Sequence, residues 1–114
     1  MSAMLDPPAV APLDIAVTAN HERVWITLAG EIDITNADRV RGQADRCLNE
    51  PEVVDVVVDL EAVTFIDSSG LHALLFSRRR ADELGKTFRI RNHHGHVARV
   101  IDLVGLTRCL TEPT

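Results

Sequence analysis

The sequence predicts an α/β fold in which a small mixed β-sheet is flanked by helices, and three observations support this prediction. Two alternating apolar runs, residues 13–18 and 24–28, are joined by a polar turn and indicate a hairpin. Residues 53–60, VVDVVVDL, are rich in β-branched side chains, which is typical of a central strand covered on both faces. Strand and helix patterns then alternate, so the predicted order is ββαβαβα, and Cys109-Leu110 could add a final short strand.

The first helix is predicted between the hairpin and the central strand. Thr35 and Asp38 have the spacing of a capping box, in which side chains at the helix start bond to free backbone N–H groups. Pro51 ends the helix, because the residue before a proline avoids the helical region. The apolar residues that recur at helical spacing are Ala37, Val40, Ala44, Cys47 and Leu48.

Two further helices and one strand complete the predicted fold. The helix after Ser68 is closed by Gly85, a residue that can adopt the left-handed conformation common at helix ends. Residues 86–92, KTFRIRN, predict a short strand, and Gly105 closes the last helix. The apolar faces consist of Leu71, Leu74 and Leu75 in the first of these helices and Val97, Val100, Ile101 and Val104 in the second.

The 114 residues fit one small domain, which we place at residues 13–114. Residues 1–12 contain three prolines among small residues and are predicted to form a disordered or extended lead-in. The formal net charge of -5 argues against nucleic acid or an anionic membrane as the main partner, since both attract basic surfaces. Arg78-Arg79-Arg80 is the only basic run, and we expect it to be solvated and paired within its helix.

Cysteine use and hydropathy indicate a cytoplasmic location. Cys47 and Cys109 lack any neighbouring cysteine, so reduced, buried thiols are expected. No apolar run approaches the length of a membrane span, and the N-terminus has no basic segment followed by an apolar core. The sequence therefore predicts a cytoplasmic protein without a signal peptide.

The stretch FIDSSGLHALL, residues 65–75, is the main candidate for a functional site, because it lies where the central strand leads into a helix. Asp67 or Ser68 could simply cap that helix, which contributes about 1 kcal/mol. Three capping candidates in a row exceed what a cap needs, however, and Gly70 lets another backbone approach closely. A nucleophilic serine would lack a G-x-S-x-G elbow, and a phosphate-binding loop would lack a glycine-rich turn.

A serine that accepts a phosphate fits this position better. A phosphoserine at a helix N-terminus meets the positive end of the helix dipole and free N–H groups, so the fold tolerates it. The surface meanwhile gains about 1.5 to 2 negative charges and considerable bulk. Such a modification can switch docking off while it preserves the domain.

Other polar and aromatic residues are weaker candidates. His93, His94 and His96 in the NHHGH segment could hold a metal, but adjacent histidines rarely converge on one ion, and we favour a polar loop. Asp33 lies in the loop after the second strand, where it has no evident structural role and is free to contact a partner. Phe76 lies off the leucine face of its helix, and two interpretations stay open: packing against a neighbouring loop, or an exposed apolar anchor.

The combination of motifs resembles the STAS domain, and more specifically the stand-alone bacterial anti-sigma factor antagonists. The segments LAGEIDI, VTFIDSSGLHALL and RIRNHHGHVARVIDLVGL carry the resemblance, occur in the family's order and span residues 13–111. The resemblance implies a small sheet with helices on one face. This sequence departs from the family at HHGH, which replaces a small, proline-containing turn, and at His72, where the family often has a small residue.

The resemblance also implies a function. Members of this family bind an anti-sigma factor that is an ATP-dependent serine kinase, and their binding releases the sigma factor. The kinase phosphorylates the first serine after the aspartate, here Ser68, whereupon the complex dissociates, and a separate serine phosphatase restores the active form. By the motif match, the docking surface contains Asp33, Asp67, Ser69, Gly70 and Leu71.

These implications describe a binding protein and not an enzyme, with no catalytic residue, cofactor or metal and no nucleic-acid or membrane partner. Two other hypotheses stay open. One is a STAS module that binds a nucleotide or lipid, or that acts as an accessory subunit of a transporter. The other is a small hydrolase that uses Ser68 as its nucleophile.

Overall fold

Residues 11–112 are described by a computed structural model of the chain, and this range contains four strands and four helices. The elements in chain order are β1 (Leu13–Asn20), β2 (Arg23–Ile32), α1 (Ala37–Asn49), β3 (Asp55–Ile66), α2 (Ser68–Glu83), β4 (Thr87–Arg91), α3 (Gly95–Leu103) and α4 (Thr107–Thr111). The predicted order ββαβαβα is confirmed, and a fourth helix follows it.

The strands form one mixed sheet in the order β1-β2-β3-β4. β1 and β2 pair antiparallel on either side of His21 and Glu22, which confirms the predicted hairpin. β2, β3 and β4 pair in parallel, so the carboxyl ends of β2 and β3 lie at the same edge of the sheet. Ile32, the last residue of β2, is in register with Ile66, the last residue of β3. The loops that follow these two residues are therefore neighbours.

The core lies on one face of the sheet, between the strands and the helices. Along β2, Val24, Ile26 and Leu28 are buried while Arg23 and Thr27 are exposed, so successive side chains point to opposite faces. The inward rows of all four strands form a single apolar cluster with residues of the helices. A sheet with helices on one face agrees with the predicted fold class.

The expectation that the central strand is covered on both faces is wrong. Asp55 and Asp59, on the face of β3 opposite the helices, are only half-buried. Val57 shares that face and is nevertheless buried, because its register partners Trp25 and Arg89 carry large side chains on either side of it. The almost continuous apolar run of β3 thus reflects cover from neighbouring strands of the same sheet.

The start of α1 differs from the predicted capping box. The helix begins at Ala37, Asn36 occupies the N-cap position, and the Asn36 side chain makes no cap hydrogen bond. The Thr35 hydroxyl donates to the Asp33 carboxylate over 2.5 Å and accepts from the N–H of Ala11 over 3.0 Å. Of the two residues that were expected to form the capping box, Thr35 is thus engaged in the preceding loop, where short polar side chains compete for backbone groups, and Asp38 lies in the first turn of α1.

The final short strand predicted at Cys109-Leu110 is wrong, because both residues lie in α4. Leu110 is buried in the core, whereas Cys109 is exposed, which also corrects the expectation that both thiols are buried. Cys47 is buried as expected, and burial raises the pKa of its thiol. A five-residue helix is too short to reveal the helical period, so its two adjacent apolar residues fit a strand equally well in the sequence.

The arginine run is less solvated than the sequence suggested. Arg78 is buried, and its guanidinium donates to the backbone carbonyls of Cys109 and, over 2.7 Å, of Glu112. Arg80 is half-buried, and Arg79 is exposed. The prediction of a solvated run is therefore wrong for Arg78, which fixes the end of α4 to α2.

The predicted helix ends are confirmed at two glycines. Gly85 follows α2 with a φ of +70°, and Gly105 follows α3 with a φ of +76°, the left-handed conformation that glycine adopts without strain. Among residues 11–112, no helix is long and apolar enough to cross a membrane.

Most of the predicted lead-in, residues 1–10, lies outside the described residues. Its last two residues contact the end of β2 and the loop that precedes α1. The Pro12 carbonyl accepts from the N–H of Glu31 over 2.9 Å, and the Ala11 carbonyl accepts from the Asn36 side chain over 3.2 Å. The placement of the domain at residues 13–114 stays a prediction.

Candidate functional site

The candidate site lies at the junction between β3 and α2, where Asp67 is the residue between strand and helix. Its carboxylate accepts from the N–H of Gly70 over 3.1 Å, and its carbonyl accepts from the N–H of Leu71 over 3.0 Å. Its own N–H donates to the Ile32 carbonyl over 3.1 Å, which ties the junction to the end of β2. Asp67 is therefore the helix cap that the sequence offered as one of two choices.

Ser68 is the first residue of α2, and its side chain is exposed. Within residues 11–112 its hydroxyl has no hydrogen-bond partner, and the capping bond at this helix start is made by Asp67. The first N–H groups of a helix have no partner inside the helix, and the helix dipole is positive at this end. The Ser68 hydroxyl is thus accessible from outside, beside groups that stabilise negative charge.

The next three residues of α2 become progressively less accessible. Ser69 is half-buried, whereas Gly70 and Leu71 are buried. A Cβ atom on Gly70 would lie 2.6 Å from Cγ1 of Ile66 and 2.8 Å from Cγ2 of Ile32. The close approach that the sequence predicted at Gly70 is therefore made by two side chains and not by another backbone. Gly70 and Leu71 pack the start of α2 onto the sheet edge.

The loop between β2 and α1 is built around Asp33. Its carboxylate accepts from the Thr35 N–H over 2.8 Å and from the Thr35 hydroxyl. Asp33 is half-buried, and the reasoning that it has no structural role is wrong, since it folds this loop. Its side chain follows the end of β2 just as Asp67 follows the end of β3, so the register of Ile32 with Ile66 brings the two loops together.

Asn36 is the residue of this loop that the sequence reasoning missed. It is almost fully buried, and its side chain accepts from the Asp33 N–H over 3.0 Å. It also donates to the carbonyl of Glu31 over 2.8 Å and to that of Ala11. An asparagine directly before a helical pattern was the available signal, but its partners become evident only in the folded chain.

A hollow of about 240 Å³ lies between α2 on one side and α1 with the loop that precedes it on the other. Across it, Ser69 and His72 of α2 face the loop after Asp33 and the first turns of α1. Asp67, Ser68, Gly70 and Leu71 do not line it. The lining residues are Ile34, Ala37, Asp38, Arg41, Ser69, His72 and Ala73.

Phe76 lies one helical turn beyond His72 and remains 44% exposed. The guanidinium carbon of Arg41 lies 4.1 Å from the centre of its ring, a cation–π contact between α1 and α2. The sequence left two interpretations of Phe76 open, packing against a loop or an exposed anchor. The ring packs against helix α1 and not against a loop. The ring nevertheless keeps an accessible apolar edge.

The histidine-rich segment, residues 93–96, joins β4 to the first turn of α3 and contacts β3. Nε2 of His94 donates to the Glu61 carbonyl over 2.6 Å, and the His96 ring stacks on Phe65 with centres 5.1 Å apart. Residues 11–112 contain no group of three or more His, Cys, Asp or Glu residues that could hold a metal ion. These contacts give the loop a packing role against the sheet.

Fold and site together define a small α/β domain that exposes a serine hydroxyl at the junction of a parallel strand and a helix. The sequence matches the family model of the STAS domain over residues 14–114. Because this match covers most of the chain, the chain belongs to the STAS domain family.

Individual relatives agree with this assignment. An anti-sigma F factor antagonist of Paenibacillus polymyxa is 26% identical over 100 residues, which cover 86% of each chain. The structure of an anti-sigma factor antagonist from Mycobacterium paratuberculosis is similar with a TM-score of 0.77 at 23% identity, over 90% of this chain and 87% of that chain.

The anti-sigma factor antagonist SpoIIAA is similar in two forms. Its unphosphorylated form gives a TM-score of 0.73 at 23% identity, over 82% of this chain and 83% of that chain. Its phosphorylated form, described for Bacillus, gives a TM-score of 0.69 at 20% identity, over 86% of this chain and 88% of that chain. At these identities the solved structures establish the fold.

Proposed function

We propose that this protein is an anti-sigma factor antagonist whose unphosphorylated form binds an anti-sigma factor serine kinase and is switched off when the kinase phosphorylates Ser68. The observation that carries the proposal is the exposed Ser68 hydroxyl at the start of α2, directly after the Asp67 cap. Relatives named as anti-sigma factor antagonists, one of them solved in a phosphorylated form, support it. The protein acts in this scheme as a binding partner and not as an enzyme.

The junction suits a phosphate for physical reasons. A phosphate on Ser68 would lie at the positive end of the α2 dipole, near the unpaired first N–H groups of the helix. Since the side chain points to solvent and Asp67 keeps its capping bonds, the core contacts of Gly70 and Leu71 need not change. The partner, in contrast, would meet about 1.5 to 2 added negative charges beside the Asp67 carboxylate. Electrostatic repulsion and bulk would then dissociate the complex, and a serine phosphatase would reverse the change.

The docking surface in this proposal surrounds Ser68. Asp67 and Ser69 present accessible polar groups on the α2 side, and Asp33 belongs to the neighbouring loop. Gly70 and Leu71 are buried, so they contribute by holding α2 against the sheet edge. The surface thus consists of the loop after β2 and the start of α2, and the register between β2 and β3 brings the two together.

Phosphate mapping tests the acceptor. The wild-type protein, immobilised, is used to capture its kinase from a cell lysate, and the purified kinase is then incubated with ATP and each variant. Mass spectrometry should find phosphate on the wild type and on Ser69→Ala, the matched control, and none on Ser68→Ala. Phosphate that persists on Ser68→Ala would remove Ser68 from the proposal.

Affinity measurements test the switch. Ser68→Asp should bind the same kinase at least about tenfold more weakly than the wild type, which corresponds to about 1.4 kcal/mol. Asn20→Asp adds the same charge at an exposed position at the end of β1, outside the docking surface, so it is the control for general repulsion and should bind like the wild type. Full affinity of Ser68→Asp would show that charge at this position does not control docking.

A further inference from the structure

We propose that the hollow between α1 and α2 is the anchoring pocket of the docking surface, in which a protruding apolar side chain of the kinase packs against Ile34. This inference rests on the proposed function and adds to it the residues that select the partner. It assigns Ile34 as the apolar anchor and His72 as the residue that sets the width of the pocket.

Ile34 is an apolar residue held in an exposed position. Its side chain is 78% exposed, although it belongs to a loop whose backbone is fixed on both sides. The N–H of Asp33 donates to the buried Asn36 side chain, and the N–H of Thr35 donates to the Asp33 carboxylate. The loop therefore presents Ile34 with little conformational freedom, so ordering it on binding costs little entropy.

The chemistry of the hollow matches that of a binding hot spot. Ala37 and Ala73 are buried and small, so they form an apolar base that leaves space above it. Polar side chains surround this base, and one of them, Ser69, is the direct neighbour of Ser68. An apolar centre within a polar rim is the usual arrangement at protein–protein interfaces. The hollow is also continuous with the surface around the phosphate acceptor.

Charge argues for an uncharged side chain as the occupant. The two charged residues of the rim, Asp38 and Arg41, lie on the same helix three residues apart and carry opposite signs. The Arg41 guanidinium also lies over the Phe76 ring, one helical turn beyond His72. With its charges balanced, the hollow offers a phosphate or a nucleic acid no net attraction. An aliphatic or aromatic side chain gains instead from contact with Ile34.

Exposure of an apolar residue does not by itself define this pocket. Leu103 at the end of α3 is 79% exposed, against 78% for Ile34, but it does not line the hollow. The two residues differ in place and not in accessibility or chemistry. Leu103 therefore provides a matched control.

The test measures the dissociation constant of the complex with the captured kinase for three variants. Ile34→Ser should raise it at least about tenfold, as expected for a hot-spot anchor. Leu103→Ser should leave it within about twofold, and Ile34→Leu should restore most of the wild-type affinity. Circular dichroism and thermal unfolding of both serine variants should match the wild type, since both sites are exposed.

A further variant tests the role of His72 in selection. His72→Ala widens the hollow, so it should change the ratio of affinities for two different anti-sigma factor kinases at least about fivefold, whereas Arg79→Ala on the same helix should not. An unchanged ratio for His72→Ala would remove His72 from the proposal.

The outcomes separate this inference from the proposed function. If Ile34→Ser and Leu103→Ser bind equally well while Ser68→Asp still loses affinity, the hollow is not the anchor but the switch stands. If Ser68→Asp and Ile34→Ser both retain wild-type affinity, the proposed switch and the pocket both fail. Weak binding of Ile34→Ser together with normal binding of Leu103→Ser supports the pocket.

Discussion

Asp67 and Asn36 each organise one of the two loops at the site. Asp67 links α2 to the end of β2 through its own N–H and caps the helix with its carboxylate, which leaves Ser68 without a structural task. Asn36 is buried and connects Asp33, Glu31 and Ala11 through one side chain. Buried amide groups of this kind rigidify a structure when all their bonds are satisfied. The accessible residues of the site are thus positioned by less accessible ones beside them.

Gly70 provides a prediction at the scale of one residue. Gly70→Ala should lower the free energy of unfolding by about 1–3 kcal/mol, because the added methyl group would overlap the side chains of Ile66 and Ile32. Urea denaturation measures this change. Gly42→Ala is the matched control, since nothing lies within 4 Å of its Cβ position in α1. That variant should be more stable by about 0.5–1 kcal/mol, and equal behaviour of the two would contradict the tight packing at Gly70.

The short helix α4 shows how an element can depend on one distant side chain. It has five residues, fewer than an isolated helix needs to be stable in water. Leu110 anchors it in the core, and Arg78 of α2 donates to the carbonyls of Cys109 and Glu112 near its end. Free carbonyls at a helix C-terminus attract positive charge. The element therefore forms because of tertiary contacts and not because of its own propensity.

Arg78 provides a prediction at the scale of the element. Arg78→Met should increase the hydrogen-exchange rate of the amides in α4 and lower the free energy of unfolding by about 1.5–3 kcal/mol, the range for hydrogen bonds to charged groups. Exchange followed by mass spectrometry locates the effect along the chain. Arg79→Met, at the exposed neighbouring position, is the control and should change neither quantity appreciably. Protected α4 amides in Arg78→Met would show that Leu110 alone holds the helix.

The molecule as a whole is a one-sided sheet with a single core. The inward rows of all four strands and residues of the helices form one cluster, while the opposite face of the sheet carries Trp25 and the polar residues around it. Arg23 covers part of the Trp25 ring, with its guanidinium carbon 5.8 Å from the ring centre. The only tryptophan of the chain therefore reports on the face away from the helices.

Cooperative unfolding is the prediction at the scale of the molecule. With a single core, unfolding in urea should be one transition, so Trp25 fluorescence and far-UV circular dichroism should give the same midpoint. Trp25→Phe, followed by circular dichroism alone, controls for any effect of the reporter on stability. A fluorescence midpoint at clearly lower urea concentration would indicate that the sheet opens before the helices unfold.

Several features of the fold were predicted from local patterns. The hairpin, the order of strands and helices and the glycine-terminated helices follow from periodicities and residue types within short stretches of chain. Cys109-Leu110 was considered as a possible final strand, although both residues lie in α4, because five residues carry too little periodicity to indicate a helix. The apolar run that contains Val57 was taken as a sign that the sheet is covered on both faces. The side chains of the neighbouring strands bury Val57 instead, and a sequence does not reveal which strands are neighbours.

At the candidate site, too, some features were predicted from the sequence and others became evident only in the structure. The sequence by itself determined that an aspartate, two serines and a glycine follow the central strand, because the β-branched run and the leucine-rich helix on either side are strong local signals. Only the tertiary structure decided that Gly70 packs against Ile32 and that Ile34 borders a hollow with Ser69. These features depend on the register between β2 and β3, which brings together residues more than thirty positions apart in the chain. Such contacts exist only once the sheet has formed, so no local pattern encodes them.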